Sequence, residues 1–153
     1  MKNLWGLFLA LILMAGPAFG AGTVACTKTL LVNGLAGGGH IYGEKWVCTA
    51  AGDDSDGTLP SYELPAPVHG YVIRAVTDPG TVAPTDNWDF SLTDAEGLDI
   101  LGGSGADRDT STSEDFSPQS GATPAPSNGL LNLVITGNTQ TAADFEIILF
   151  VAY

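Results

Sequence analysis

The sequence predicts an all-β protein: an antiparallel β-sandwich or jelly-roll-like fold of about seven strands that follows an N-terminal signal helix. Three observations lead to this class. Twenty glycines and nine prolines divide the 153-residue chain into short segments, several of these segments alternate apolar and polar side chains, and no helix of normal length is indicated after the N-terminal segment. Short strands separated by turn residues are typical of two packed antiparallel sheets.

The first twenty residues have the pattern of an export signal. Lys2 supplies a basic start, residues 4–15 form an apolar run, and Ala18 and Gly20 place small residues at the −3 and −1 positions of a cleavage site. The apolar run covers about 12 residues, whereas a membrane span needs roughly 20. We therefore expect a signal peptide over 1–20 and a periplasmic or extracellular location, with no stable membrane insertion after the signal is removed.

The remaining segment, 21–153, has a length that suits a single domain. Only one of the five Lys and Arg residues lies in the signal, so four basic residues face 17 acidic ones and the formal net charge becomes −13. A surface this negative repels phosphate backbones and anionic lipid heads, so nucleic acid is not expected as a partner. The charge suits solubility, cations or a basic partner.

The first two strands are predicted at 23–32 and 41–51, with a glycine-rich loop between them. Cys26 and Cys48 are the two cysteines, and their midpoint lies in that loop, so folding the segment into a hairpin sets them opposite each other. Opposed Cβ atoms of antiparallel strands lie about 4.5–5.5 Å apart, and exported chains meet oxidising conditions. We therefore predict a structural disulfide closing the hairpin 21–51, with a contribution of roughly 3 kcal/mol.

Five more strands are expected in the sandwich segment 52–153. The clearest is 87–93, in which Trp88, Phe90 and Leu92 share one face while polar residues share the other. A tight turn after it leads into 98–102, which predicts a second hairpin. The other three predicted strands lie at 71–77, 130–136 and 144–152. Two long loops are predicted at 52–69 and 103–129.

The last strand is apolar on both of its faces. Residues Phe145 to Tyr153 alternate so that Ile148 and Phe150 lie on the side opposite the larger apolar set. Only one face of a strand meets the core of a sandwich, so something else must cover these two side chains. A loop of the same chain and a second subunit are both open as the cover. Ile148 and Phe150 are therefore candidate interface residues.

The sequence gives little support for catalysis. His40 and His69 lie beside glycines near predicted strand ends, with no metal-ligand spacing and no further thiol to complete a zinc site. The chain also contains no Gly-x-Ser-x-Gly elbow of the kind that presents a catalytic serine. We expect a protein that is not an enzyme.

One segment is a candidate calcium site. Asp53, Asp54 and Asp56 follow Gly52, a glycine comes next, and Glu63 stands twelfth counting from Gly52. Hard oxygen ligands at this spacing suit Ca²⁺. Pro60 interrupts the pattern and the flanks are not helical, so a solvated acidic turn is the competing interpretation. No other cofactor is expected.

Four stretches of the chain carry a family resemblance. They read GYVIRAVTDPG, APTDNWDFSLTD, GLDILGG and DRDT, at 70–80, 83–94, 97–103 and 107–110. Together with the late apolar strands, they make the segment from about 56 to 153 similar to small β-sandwich proteins of unknown function encoded among tailed-bacteriophage virion structural genes. The resemblance carries no catalytic residues.

The resemblance implies a virion-associated role, such as head decoration, a fibre or an envelope-associated component. The expected partners are further copies of the chain or other structural proteins, and a location in the virion is part of the expectation. The alternative function is a secreted binding module that recognises carbohydrate or a cell-surface partner. An exposed Trp46 or Trp88 that stacks on a sugar ring would support that alternative.

Overall fold

A computed structural model describes residues 20–32, 41–118 and 129–153. The predicted signal helix and His40 lie outside these residues. The described chain contains no helix and forms eight strands: β1 (Thr23–Val32), β2 (Ile41–Ala51), β3 (Tyr62–Glu63), β4 (Tyr71–Pro79), β5 (Asp89–Thr93), β6 (Glu114–Phe116), β7 (Asn132–Thr136) and β8 (Asp144–Ala152).

The strands build two antiparallel sheets. One has five strands in the order β1-β2-β8-β4-β6, and the other has three in the order β3-β7-β5. This arrangement confirms the predicted all-β antiparallel sandwich. Among the described residues, no helix is long and apolar enough to span a bilayer.

The first hairpin has the predicted strand bounds and the predicted cystine. β1 pairs with β2 in a register that sets Cys26 against Cys48, and the two residues form a disulfide. Both cysteines are buried on the inner face of the five-stranded sheet. The disulfide therefore ties an edge strand, β1, to the neighbour that carries it.

The predicted strand at 98–102 is wrong, because this segment forms turns after a single bridge between Thr93 and Asp99. The Asp99 carboxylate accepts hydrogen bonds from the amides of Leu92, Leu101 and Gly103, which curls the chain around that side chain. Gly102 and Gly103 also adopt positive φ angles of 59° and 80°, which a regular strand does not contain.

Two short strands lie inside the segments predicted as loops. β3 has two residues and β6 has three, so neither is long enough to show an alternating pattern. β3 pairs with β7, whereas β6 pairs with β4 at the far edge of the larger sheet. With them the count becomes eight strands where about seven were predicted.

The core lies between the two sheets and follows from alternation along the strands. Trp46, Leu149 and Ala75 form one inner row across β2, β8 and β4, and all three are almost completely buried. On the facing side, Trp88 contacts Phe145 with ring centroids 4.5 Å apart. Aromatic pairs at this separation add to the stabilisation from burial alone.

The acidic composition is used largely in the loops. Eight aspartates accept hydrogen bonds from backbone N–H groups, in the pattern by which short acidic side chains hold tight turns. These aspartates are Asp53, Asp54, Asp56, Asp89, Asp94, Asp99, Asp109 and Asp144. Much of the negative charge is therefore part of the loop architecture.

Candidate functional site

The outer face of the five-stranded sheet is ordered into three rows that cross the strands. Residues paired directly across antiparallel strands point to the same face, so the register identifies each row. The acidic row is Ala25, Thr49, Glu146 and Asp78. The apolar row is Thr27, Val47, Ile148 and Val76, and it ends at Asp115 on β6. The basic row is Thr29, Lys45, Phe150 and Arg74.

The two predicted interface residues occupy the centre of this face, because β8 lies between β2 and β4. Ile148 is half-buried between Val47 and Val76 in the apolar row. Phe150 is half-buried in the basic row, where Lys45 Nζ lies 5.9 Å and Arg74 Cζ lies 4.9 Å from the centroid of its ring. The two basic side chains thus provide part of the cover that the sequence left open.

The two cations differ in how strongly they are held. Arg74 donates from Nε and Nη2 to the two carboxylate oxygens of Asp115, each at 2.8 Å. This paired contact lowers the pKa of Asp115 and raises that of Arg74. Within the described residues, Lys45 has no carboxylate partner, and its contact is with the ring of Phe150. Lys45 is therefore the cation of this face available to a partner.

An apolar groove of about 360 Å³ extends from Phe150 toward the hairpin end of the sheet. A β-bulge in β4 lies between Val72 and Arg74, and it places the side chain of Ile73 outside the regular alternation with 53% exposure. Leu31 on β1 and Ala152 on β8 line the groove together with Ile73. The bulge thus adds an exposed aliphatic side chain beside Phe150.

Behind the same end of the sheet, the inner face holds a buried polar cluster that the sequence reading missed. Glu44 on β2 has 0% exposure. Its carboxylate accepts hydrogen bonds from Trp46 Nε1 at 2.8 Å and from the Tyr153 hydroxyl at 2.6 Å, and Lys28 Nζ lies 3.6 Å away. A buried carboxylate needs such partners, so the cluster satisfies the charge within the chain. The sequence did contain a signal for this cluster: Glu44 is an acidic residue at an inward-facing position of the predicted strand 41–51.

The contact with Glu44 changes the acidity of Tyr153. Burial of the hydroxyl, its hydrogen bond to the Glu44 carboxylate and the charge of that carboxylate together raise the pKa of Tyr153 to about 12. Each of these causes favours the neutral phenol over the phenolate. The Tyr153 hydroxyl therefore acts as a donor that holds Glu44 in place.

The candidate calcium residues are not gathered into a site. Asp53 accepts hydrogen bonds from Ser55, Asp56 accepts them from Thr58, and Asp54 accepts one from the amide of Gly20. Within 20–32, 41–118 and 129–153, no group of three or more His, Cys, Asp or Glu side chains is arranged to hold a metal ion. Two of the carboxylates thus close their own turn.

Glu63 lies apart from that turn, on the short strand β3, where it is exposed. The hydrogen bonds from Ser55 lower the pKa of Asp53, as expected for a carboxylate that caps a turn.

Other residues singled out in the sequence have structural positions. His69 is exposed just before β4. Trp46 and Trp88 both have 0% exposure, so neither ring is available to stack on a sugar. Arg108 donates to the carbonyl of Ala106 and stacks on Phe116 at 4.4 Å, so it fixes its own loop.

Comparisons with protein-family models, with curated proteins and with solved structures each found no match. The buried disulfide is compatible with an oxidising, exported location. The functional argument therefore rests on the surface of the molecule itself.

Proposed function

We propose that this protein is an exported, non-catalytic structural or accessory protein, related to phage virion components, that self-associates through the outer face of its five-stranded sheet. The observation that carries the proposal is the order of the rows on that face. A basic row and an acidic row lie on either side of an apolar row. Such a surface is complementary to a second copy of itself.

The geometry of the contact follows from this order. When two copies pack face to face about a two-fold axis that runs along the apolar row, the strand direction of the second copy is reversed. Ile148 then meets the apolar row of its partner, and Lys45 lies over the partner's acidic row, which contains Glu146. Two-fold contacts of this kind use one patch twice, so a self-complementary patch is what they require. Opposite charges across the contact also fix its register.

The phage-related part of the proposal rests on the sequence resemblance of the segment from about 56 to 153, and the structure shows how several of the resemblance residues are used. Asp99 holds three backbone amides, Asp89 accepts from the amide of Asp107, and Arg108 accompanies Phe116. These polar residues serve turns and loop packing.

A charge exchange tests the proposed contact. Lys45 and Glu146 of the partner lie on adjacent strands across the proposed contact, so Lys45→Glu and Glu146→Lys each bring like charges together there. Each single change should weaken self-association about tenfold, and the double exchange should restore it. Sedimentation or light scattering over a range of protein concentrations measures the association.

The control is Glu96→Lys, which makes the same change of net charge as Glu146→Lys in an exposed turn away from the face. It should leave association unchanged. A strict monomer at high concentration, or a double exchange that associates no better than the single variants, would contradict the proposal.

A further inference from the structure

We propose that a second copy of this chain also adds to β1, edge to edge and antiparallel, so that two five-stranded sheets continue as one. This contact is separate from the face-to-face contact, because it uses the backbone of an edge strand. β1 is at the end of the sheet order, and in the described part of the chain no strand pairs with its other side. Alternate N–H and C=O groups along β1 therefore point away from β2.

The other edges of the molecule are short or closed. β3 and β6, at two of the edges, have two and three residues. The free edge of β5 is closed by the loop after it: the amide of Phe90 donates to the carbonyl of Gly105, and the amide of Arg108 donates to the carbonyl of Trp88. Shortening and covering are the usual ways in which proteins prevent edge pairing.

β1 has few of these protections. It is ten residues long, contains no proline and carries its one register shift at the end, between Leu31 and Val32. Its single charged residue, Lys28, turns inward toward Glu44 and the ring of Trp46. A long edge strand without an outward charge is a template for another strand.

Charge favours this edge as a meeting point for copies of an acidic protein. Residues 23–32 contain one basic residue and no acidic residue, whereas the whole chain carries −12. The approach of two β1 edges therefore brings together the part of each molecule with the weakest mutual repulsion. The Cys26–Cys48 disulfide fixes β1 on β2, so the edge is ordered before a partner arrives.

Two copies of β1 can pair antiparallel about Thr27, with Lys28 of each copy facing Cys26 of the other, so that no like charges are opposed. In that register, Thr27 faces Thr27 of the partner, Ala25 faces Thr29, and Val24 faces Leu30. Leu30 is 47% exposed in the single copy, and the pairing supplies it with an aliphatic neighbour. A register centred on Lys28 would instead oppose two ammonium groups. The centre at Thr27 is therefore favoured.

Cysteine substitution on the outer face of β1 tests the register. Thr27 and Thr29 are both exposed and lie on the same face of the strand, so Thr27→Cys and Thr29→Cys are matched. In the proposed edge register only Thr27→Cys places the two new thiols opposite each other. Because the axis of the face contact also follows the row of Thr27, both variants are compared with Glu146→Lys added, which weakens the face contact. Under mild oxidation Thr27→Cys should give at least about tenfold more covalent dimer than Thr29→Cys. Peptide mass spectrometry confirms that the native cystine is retained.

The unsubstituted protein provides an independent measurement that needs no added thiol. Hydrogen exchange of the amides in 23–31 should slow as protein concentration rises, because pairing protects them. Comparing the cross-linking of Thr27→Cys with and without Glu146→Lys separates the two contacts: the edge link should persist although the face contact is weakened about tenfold.

Equal yields of covalent dimer from the two cysteine variants would overturn the register. Exchange in β1 that does not depend on concentration would overturn the edge contact itself. Protection that develops only after a different protein is added would assign the edge to another partner and so overturn pairing with a second copy.

Discussion

The outer faces of the two sheets differ in polarity. In the three-stranded sheet, Ser91 pairs with Val134 and Thr93 pairs with Asn132, so polar side chains dominate. In the five-stranded sheet, the corresponding central row has three aliphatic side chains, Val47, Ile148 and Val76, between Thr27 and Asp115. Antiparallel sheets commonly present a polar face to water, as the smaller sheet does. The larger sheet departs from that pattern.

The edge strands of the two sheets also differ, in their length and in how they are covered. The smaller sheet is bordered by a two-residue strand and by a strand whose free edge is covered by a loop. The larger sheet has a ten-residue edge strand that no described strand covers. Both differences indicate that the smaller sheet is complete within one chain. The larger sheet carries the two surfaces that we propose for self-association.

The largest expected change in stability comes from Glu44, whose hydrogen bonds satisfy the buried polar groups on the inner face of the larger sheet. Glu44→Ala removes the acceptor for Trp46 and Tyr153 and leaves the Lys28 ammonium without its carboxylate. Because buried polar groups lose their partners, we expect the free energy of unfolding to fall by about 3 kcal/mol. Urea denaturation followed by tryptophan fluorescence measures the change.

Glu146→Ala is the matched control, because Glu146 lies on the neighbouring strand but on the outer face. Its effect on the unfolding of the monomer should stay within about 0.5 kcal/mol. Equal losses from the two variants would remove the distinction between a completed inner face and an accessible outer one.

A smaller effect is expected at the closed edge of β5. Asp99→Ala leaves the amides of Leu92, Leu101 and Gly103 without their shared acceptor. Hydrogen bonds to a charged acceptor are strong, so we expect a loss of about 2 kcal/mol in the free energy of unfolding. Amide exchange at Leu92 should also accelerate, because the loop no longer closes this edge.

The control for that variant is Asp86→Ala. Asp86 is an exposed loop residue, and no described group donates a hydrogen bond to its side chain. Its substitution should change the stability by no more than about 0.5 kcal/mol. Unchanged exchange at Leu92 in Asp99→Ala would show that the edge is protected by something other than this carboxylate.

Much of the fold could be predicted from local pattern. The bounds of β1 and β2 and the pairing of Cys26 with Cys48 follow from a hairpin with its loop at the midpoint. The segment 98–102 could not be read correctly, because its apolar residues are compatible with a strand. A single side chain, Asp99, converts it into turns through hydrogen bonds that periodicity does not contain.

Only part of the candidate site could be predicted from the sequence. Alternation along the last strand identified Ile148 and Phe150, which are local to one strand. Lys45 and Arg74 could not be placed beside Phe150, because that requires the strand order β2-β8-β4 and its register. Contacts between residues that are far apart in the sequence depend on the strand order, and the strand order could not be predicted from this sequence alone.

The smallest expected effect concerns Tyr153, a residue that is 53% exposed while its hydroxyl donates to the buried Glu44. Its pKa is raised from 10.0 to about 12, so the folded state holds the phenol proton more tightly than the unfolded state does. The resulting stabilisation is fully present below pH 10.0 and is lost as the pH rises toward about 12. Ultraviolet absorbance of tyrosinate should therefore show a late titration step from Tyr153.

Glu44→Gln should move that late step toward lower pH, because the amide removes the charge that opposes the phenolate. Tyr153→Phe should abolish it. Tyr71→Phe, which removes an exposed tyrosine from the outer side of the same sheet end, should leave it in place. A late step that survives Tyr153→Phe would assign the raised pKa to another tyrosine. The hydrogen bond between Tyr153 and Glu44 would then not be the cause of the late titration step.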